Sequence, residues 1–179
     1  MGIKKFSIND KPIVCLTAYD YKTACIVDNY CDVVLVGDSV GMALYGDKTT
    51  TNVTLDVMIR HGQSVRKGLK KSYMVVDMPK NTYKNKIQAF KNAKKIITQT
   101  KCDAVKLEGG KKIINIVNYL IRKKIKVVGH IGLLPQSINN PKDYRVLGKE
   151  KGDRKKIYLD FKYLENSGVD FIILESVKK

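Results

Sequence analysis

The chain has 179 residues, enough for one domain with a hydrophobic core, and no apolar run approaches the ~20 residues that span a membrane. Its formal net charge of +17 would suit a nucleic-acid surface, but the lysines lie in short pairs along predicted helices, arginine is scarce, and no aromatic residues interleave with the basic ones. We therefore interpret the charge as solvated, lysine-rich helix faces, predict no nucleic-acid partner and no membrane partner, and expect attraction of anionic small molecules.

The first half of the chain predicts two strands and two helices in alternation. Residues 12–17 form an apolar strand, and Asp20 is expected to cap a helix over 21–29. Residues 33–36 are a short β-branched run, typical of a strand buried on both faces. We predict a long loop over 39–53, followed by a helix that starts at Thr54 and carries an apolar stripe of Leu55, Met58, Ile59, Val65 and Leu69.

The second half repeats the same alternation of strand and helix. Strands are predicted over 73–76, 104–107, 126–129 and 171–175, and helices over 84–100, 113–121 and 153–166. No pair of strands is joined by a two-residue hairpin, so the alternation predicts a parallel α/β fold. Acidic residues follow the second, third, fourth and sixth strands, which favours a barrel with a ring of strand ends over an open sheet.

These strand-end acids predict a pocket that binds a hard cation. Asp38, Asp77 and Glu108 are candidate ligands of Mg²⁺, either directly or through water, because Mg²⁺ prefers oxygen ligands and retains waters. Each could instead cap a helix or form a salt bridge. The four cysteines lack metal-type spacing, so we expect no zinc site and predict scattered thiols in a reducing cytoplasm.

Three further residues complete the candidate site. Lys106 and Glu108 lie two positions apart on one strand and therefore share a face. Lys106 would contact an anionic substrate such as a carboxylate, or else pair with Glu108 or Glu175. His130 could donate a hydrogen bond to substrate, support a ligand or be structural. Glu175 is a fourth acid, available for proton transfer.

Short sequence blocks that run through nearly the whole chain resemble, in content and order, those of the ketopantoate hydroxymethyltransferase family. The matching blocks include Leu35-Val36-Gly37-Asp38-Ser39, Val105-Lys106-Leu107-Glu108-Gly109-Gly110 and Gly129-His130-Ile131-Gly132-Leu133, with others at 16–21, 41–42, 53–56, 77–79, 135–137 and 174–175.

The resemblance implies a TIM-type (βα)8 barrel, of which this chain would supply about the first six βα units as one incomplete domain over 1–179. It also implies transfer of a hydroxymethyl group from 5,10-methylenetetrahydrofolate to 3-methyl-2-oxobutanoate, giving 2-dehydropantoate in pantothenate biosynthesis. A homo-oligomer, typically a decamer, is expected. The family's functional residues fall on Asp38, Asp77 and Glu108 for Mg²⁺, on Asp38, Ser39, Asp77, Lys106 and His130 for the keto acid, and on Glu175 for the general base.

The chain also departs from the family pattern. The usual N-terminal helix is nearly absent, rim residues differ at Lys80, Leu134 and Lys178, and the seventh and eighth strands are missing. We expect exposed edges on the first and sixth strands. Two alternatives therefore stay open: a non-catalytic remnant of this transferase, or another Mg²⁺-dependent lyase or mutase that acts on 2-keto acids.

Overall fold

The computed structural model describes residues 12–178; the basic segment over 1–11, where no signal peptide is expected, lies outside this range. Six strands form one parallel sheet in the order β1-β2-β3-β4-β5-β6. The strands are β1 (Cys15–Thr17), β2 (Val33–Val36), β3 (Tyr73–Asp77), β4 (Ala104–Glu108), β5 (Val127–Gly132) and β6 (Phe171–Glu175). The helices are α1 (Tyr21–Val27), α2 (Val40–Tyr45), α3 (Leu55–Gly68), α4 (Lys86–Thr100), α5 (Ile114–Arg122) and α6 (Lys151–Ser167).

The strand order identifies the architecture as part of a TIM-type barrel, as predicted. Each strand pairs with the strand before and after it in the chain, whereas the sheet of a doubly wound fold reverses its order. The strands curl as six of the eight strands of a (βα)8 barrel would. All carboxyl ends consequently meet at one rim.

The central strands hold the core. Every residue of β3 and β4 is buried, because helices cover one face and side chains of neighbouring strands cover the other. The two end strands β1 and β6 each have one strand neighbour among the described residues. All three residues of β1 are exposed and β6 is only half-buried, which confirms the two predicted edges.

Local side chains fix where several helices begin. The Asp20 carboxylate accepts a hydrogen bond from the Thr23 N–H at 2.9 Å, which confirms the predicted cap of α1. Thr54 and Asn85 cap α3 and α4 in the same way. Within 12–178, no helix combines the length and the apolar character needed to cross a membrane.

The predicted loop over 39–53 is wrong in part, since it contains α2 and a 3₁₀ turn over Thr50–Asn52. Helix α2 is only six residues long and ends at Gly46, whose φ of 74° is left-handed. Its buried residues, Val40 and Gly41, are adjacent, so no helical periodicity marks it in the sequence.

Several boundaries also differ from the prediction, and strand β1 begins at Cys15, three residues after the predicted start at Pro12. Helix α6 begins at Lys151 instead of Asp153, and Asp153 lies in its first turn. Strand β5 continues to Gly132, three residues beyond the predicted end. His130 therefore lies within the strand, and its side chain is held by the strand's register.

Candidate active site at the strand ends

Six of the predicted site residues lie at or beside the carboxyl ends of strands β2 to β6. The sheet register pairs Asp77 with Lys106 and Glu108 with His130. Five of these side chains belong to residues that are at most 6% exposed: Asp38, Asp77, Lys106, Glu108 and His130. Parallel strands thus gather ionisable residues from distant parts of the chain into one buried cluster.

Lys106 forms a buried ion pair with Asp77, a partner that the sequence did not single out. Its Nζ lies 3.1 Å from Asp77 Oδ1 and 3.2 Å from His130 Nδ1. Burial works to lower the pKa of Lys106, but the charges of Asp77, Glu108 and Asp38 outweigh it and raise the pKa. The ammonium group is therefore held charged at the centre of the cluster.

His130 links Glu108 to Glu175. Its Nδ1 lies 3.4 Å from Glu108 Oε1, and its Nε2 lies 3.1 Å from Glu175 Oε2. Nδ1 can donate to Glu108 or accept from Lys106, but one nitrogen cannot do both at once. Burial works to lower the pKa of His130, yet the contacts with Glu108 and Glu175 raise it overall, which favours the protonated imidazolium between the two carboxylates.

Gln136, which the sequence analysis did not place in the site, ties the carboxylates together. Its Nε2 donates to Asp38 Oδ2 at 2.8 Å and to the Met78 carbonyl at 2.9 Å, while its backbone N–H donates to Glu108 Oε2 at 3.0 Å. The Tyr83 hydroxyl donates to its Oε1. The only available signal was its position just after β5, within a matching block.

The acids of the cluster are not all neutralised within the described residues. Burial, followed by the charge of Asp77, raises the pKa of Asp38 to about 8. Burial also raises the pKa of Asp77, against the opposing effect of Lys106. The Asp38 N–H donates to Asp77 Oδ2 at 3.1 Å, so these two carboxylates are close neighbours. A divalent cation would favour the charged form of both carboxylates.

The donor set fits Mg²⁺ held mainly through water. Asp77 Oδ1 is buried and makes no hydrogen bond of good geometry among the described residues, although Lys106 lies 3.1 Å away. In the same part of the chain, no three His, Cys, Asp or Glu side chains form a direct ligand set. Mg²⁺ is commonly held by one or two carboxylates with retained waters. Asp38 and Asp77 could supply these, with Glu108 reached through water.

Ser39 and Glu175 lie at the edges of the cluster. The Ser39 hydroxyl is 2.8 Å from the Tyr19 hydroxyl. A Cβ added to Gly37 would lie 2.8 Å from Ser39 Oγ and 3.7 Å from Asp77 Oδ2, so both side chains border this glycine. The Glu175 side chain is 40% exposed, which makes it the most accessible of the four predicted acids.

The sequence matches the family described as ketopantoate hydroxymethyltransferase over residues 2–179. It is 56% identical over 170 residues to the 3-methyl-2-oxobutanoate hydroxymethyltransferase of Pelagibacter ubique (strain HTCC1062), covering 95% of this chain and 65% of that protein. It is 48% identical over 168 residues to the enzyme of the same name from Bartonella tribocorum (strain CIP 105476 / IBS 506), covering 93% and 62%. The chain thus spans less than two thirds of these relatives.

Solved structures of low identity share the fold. A 2,3-dimethylmalate lyase of the PEP mutase/isocitrate lyase superfamily superposes with a TM-score of 0.70 at 11% identity, over 99% of this chain and 62% of that one. A phosphonopyruvate hydrolase, solved with oxalate and Mg²⁺, gives a TM-score of 0.69 at 9% identity, over 93% and 59%. At these identities the similarity establishes the barrel fold alone.

Proposed function

The chain belongs to the ketopantoate hydroxymethyltransferase family, and we propose that it transfers a hydroxymethyl group from 5,10-methylenetetrahydrofolate to 3-methyl-2-oxobutanoate, giving 2-dehydropantoate for pantothenate biosynthesis. One observation carries the proposal. Asp38, Asp77, Lys106, Glu108 and His130 form a connected buried cluster at the strand ends, and the exposed acid Glu175 is attached to its edge through His130.

Each residue of the cluster has a role in the proposed reaction. Lys106 would bind the carboxylate of the keto acid, and Ser39 would add a hydrogen bond. Asp38 and Asp77 would hold Mg²⁺, with Glu108 contributing through water. When bound, Mg²⁺ would supply Lewis-acid stabilisation of negative charge on the keto oxygen.

Glu175 would remove the proton from C3 of the keto acid. Its carboxylate is accessible, and His130, 3.1 Å away, would hold it in one orientation. Water hydrolyses the two C–N bonds of the folate methylene group, which releases tetrahydrofolate and formaldehyde. The electron pair left on C3 then forms a bond to the formaldehyde carbon, while the carbonyl π electrons move to its oxygen. That oxygen takes up the proton held by Glu175 and becomes the new hydroxyl group, so atoms and charges balance.

The central experiment assays 2-dehydropantoate formation with Mg²⁺ and with or without the folate donor. We expect donor-dependent product in the wild type and a loss of roughly 10²–10⁴-fold in Glu175→Gln. The matched control is Glu165→Gln, which makes the same substitution at an exposed glutamate on α6. Equal activity of wild type and Glu175→Gln would remove Glu175 as the base. Product formed without a folate donor would replace the transferase with a lyase-type reaction.

Metal binding can be measured apart from turnover. At 100 times the dissociation constant, Mg²⁺ should stabilise the fold by ~2.7 kcal/mol, which corresponds to a rise in melting temperature of roughly 5–11 °C for a chain of this size. Asp38→Asn should abolish this rise, whereas Asp56→Asn, an exposed aspartate paired with Lys95, should retain it. An equal rise in Asp38→Asn would exclude Asp38 as a ligand.

We include assembly into a cytoplasmic homo-oligomer in the proposal. Large apolar side chains are exposed at and near β1 and α1, among them Ile13, Val14, Leu16, Ile26 and Tyr30. Several exposed apolar side chains in neighbouring elements are typical of protein interfaces. Sedimentation of the purified chain would test it, and a monomer at micromolar concentration would count against it.

A further inference from the structure

A large cleft adjoins the strand-end acids. Its volume is about 920 Å³, near the top of the range of roughly 300–1,000 Å³ found for ligand pockets. The loops after β3, β4 and β5 and the first half of α6 border it. Glu108 and Gln136 belong both to its wall and to the buried cluster, so a ligand in the cleft would reach the reaction centre.

Two kinds of side chain line the cleft: an apolar set, called the floor here, and a set of lysines, called the rim. The floor is formed by Tyr83, Ile113, Ile116, Leu134 and Leu159. The rim carries six lysines: Lys80, Lys84, Lys111, Lys112, Lys155 and Lys156. A ligand that matches both zones has a flat apolar body and a negatively charged end.

The positive charge of this rim is not balanced locally. The two acids that line the cleft are Glu108 and Asp160, and both are already engaged. Asp160 accepts the Lys111 N–H at 2.8 Å and pairs with Lys156 at 3.1 Å. Within residues 12–178, no hydrogen bond or ion pair holds the ammonium groups of Lys84, Lys112 and Lys155. Like charges gathered in a concave wall attract anions strongly.

We propose that this cleft binds the glutamate-bearing arm of the folate co-substrate. The inference rests on the proposed function. The keto acid is small and would leave most of the cavity empty. A tetrahydrofolate carries aromatic rings suited to the apolar floor and a glutamate with two carboxylates suited to the rim. Its reactive methylene group would then face Glu108 and Gln136, while the carboxylates lie against Lys112 and Lys155.

The test is direct binding, measured by isothermal titration calorimetry on the full chain whose folding is verified by circular dichroism. The ligands are tetrahydrofolate, with two glutamate carboxylates, and tetrahydropteroate, which lacks the glutamate and ends in a single benzoate carboxylate. The cleft variant is Lys112→Gln/Lys155→Gln. The control is Lys91→Gln/Lys94→Gln, which removes the same charge from exposed positions on α4 outside the cleft.

We expect wild type and control to bind tetrahydrofolate more tightly than tetrahydropteroate. The cleft variant should lose roughly 3–10-fold of its affinity for tetrahydrofolate, the effect of two carboxylate–lysine contacts, and a smaller part of its affinity for tetrahydropteroate. The advantage of tetrahydrofolate should also shrink as salt is raised.

Three results would overturn the proposal: equal affinity for both ligands, an equal loss in the cleft variant and the control, or no binding of tetrahydrofolate. Competition by inorganic phosphate as effective as that by free glutamate would identify a general anion site and would also overturn it. Exchange of the C3 proton of the keto acid with D₂O, in Mg²⁺ without folate, reports on the proposed function separately. Exchange without glutamate-dependent binding would refute the cleft assignment alone, and binding without exchange would refute the proposed reaction alone.

Discussion

Replacing Lys106 by Met should destabilise the fold strongly. Methionine keeps the apolar length of the side chain and removes the ammonium group, which lies 3.1 Å from Asp77 Oδ1 in a cluster of buried acids. Removing one partner of a buried ion pair costs ~3–5 kcal/mol, because the other charge stays buried without compensation. This loss is a large part of a typical unfolding free energy of ~5–15 kcal/mol.

A double-mutant cycle identifies the partner. Asp77→Asn alone should also be costly, since it leaves Lys106 buried with fewer carboxylates. In the double variant neither charge remains, so its loss should be smaller than the sum of the single losses by ~2–3 kcal/mol. Urea unfolding followed by circular dichroism measures all four proteins, and with a slope of ~2 kcal/mol per molar urea the Lys106→Met midpoint should fall by roughly 2 M.

Two results would refute this account of the pair. One is a cost of Lys106→Met below about 1 kcal/mol, and the other is additivity of the two single losses within about 0.5 kcal/mol. The control is Lys94→Met on α4, an exposed lysine whose replacement should stay within about 0.5 kcal/mol of wild type.

Three further predictions concern single residues. Gln136→Leu removes the amide donor to Asp38 and should lower the free energy of unfolding by ~2 kcal/mol. Calorimetry should then show a melting temperature roughly 4–8 °C lower. An unchanged melting temperature would contradict the bridging role of Gln136. Asp28 is buried and accepts three backbone N–H groups, which outweigh burial and lower its pKa. The contribution of Asp28 to the free energy of unfolding is therefore complete above the unfolded pKa of about 3.9 and is lost as the pH falls through the folded pKa. Asp28→Asn should cost ~2 kcal/mol of stability at pH 7 and less at pH 3. An equal difference in stability between wild type and variant at both pH values would refute this. Gly68→Ala should destabilise the fold by ~1–3 kcal/mol, because the new Cβ would lie 2.6 Å from a carbonyl oxygen of α1. Gly152→Ala should be neutral or stabilising, because the space around Gly152 is open. Equal midpoints of urea unfolding for the two variants would contradict this prediction.

The parts of the fold that could be predicted from sequence depend on burial over several consecutive residues. Residues 33–36 and 104–108 are apolar and β-branched because both faces of their strands are covered, and this leaves a local pattern. Helix α2 leaves none, since it is six residues long and Ser39 makes no side-chain cap at its start. The position of the acids at the strand ends was equally predictable, because a parallel sheet places the carboxyl ends of all its strands at one rim.

The pairings within the site could not be predicted in this way. Gln136 and Asp38 are 98 residues apart, and their contact exists only because the loop after β5 folds across the ends of β2 and β3. The choice of Asp77 as the partner of Lys106 likewise follows from sheet register, which pairs these two positions directly. Local sequence shows which residue types are present at the rim, and the register decides which of them meet.

The buried cluster is itself an argument for binding charged ligands. Replacing a buried ion pair by apolar residues of similar size is often neutral or stabilising, so stability alone does not explain five buried ionisable residues at neighbouring strand ends. Their acids outnumber their cations, with Asp38, Asp77 and Glu108 set against Lys106 and His130. A divalent cation corrects this imbalance, and Lys106 then becomes available to an anionic substrate. The cluster is therefore best understood as a site whose charges are completed by its ligands, and the destabilisation that it imposes on the empty protein is the reason why Mg²⁺ is expected to raise the melting temperature.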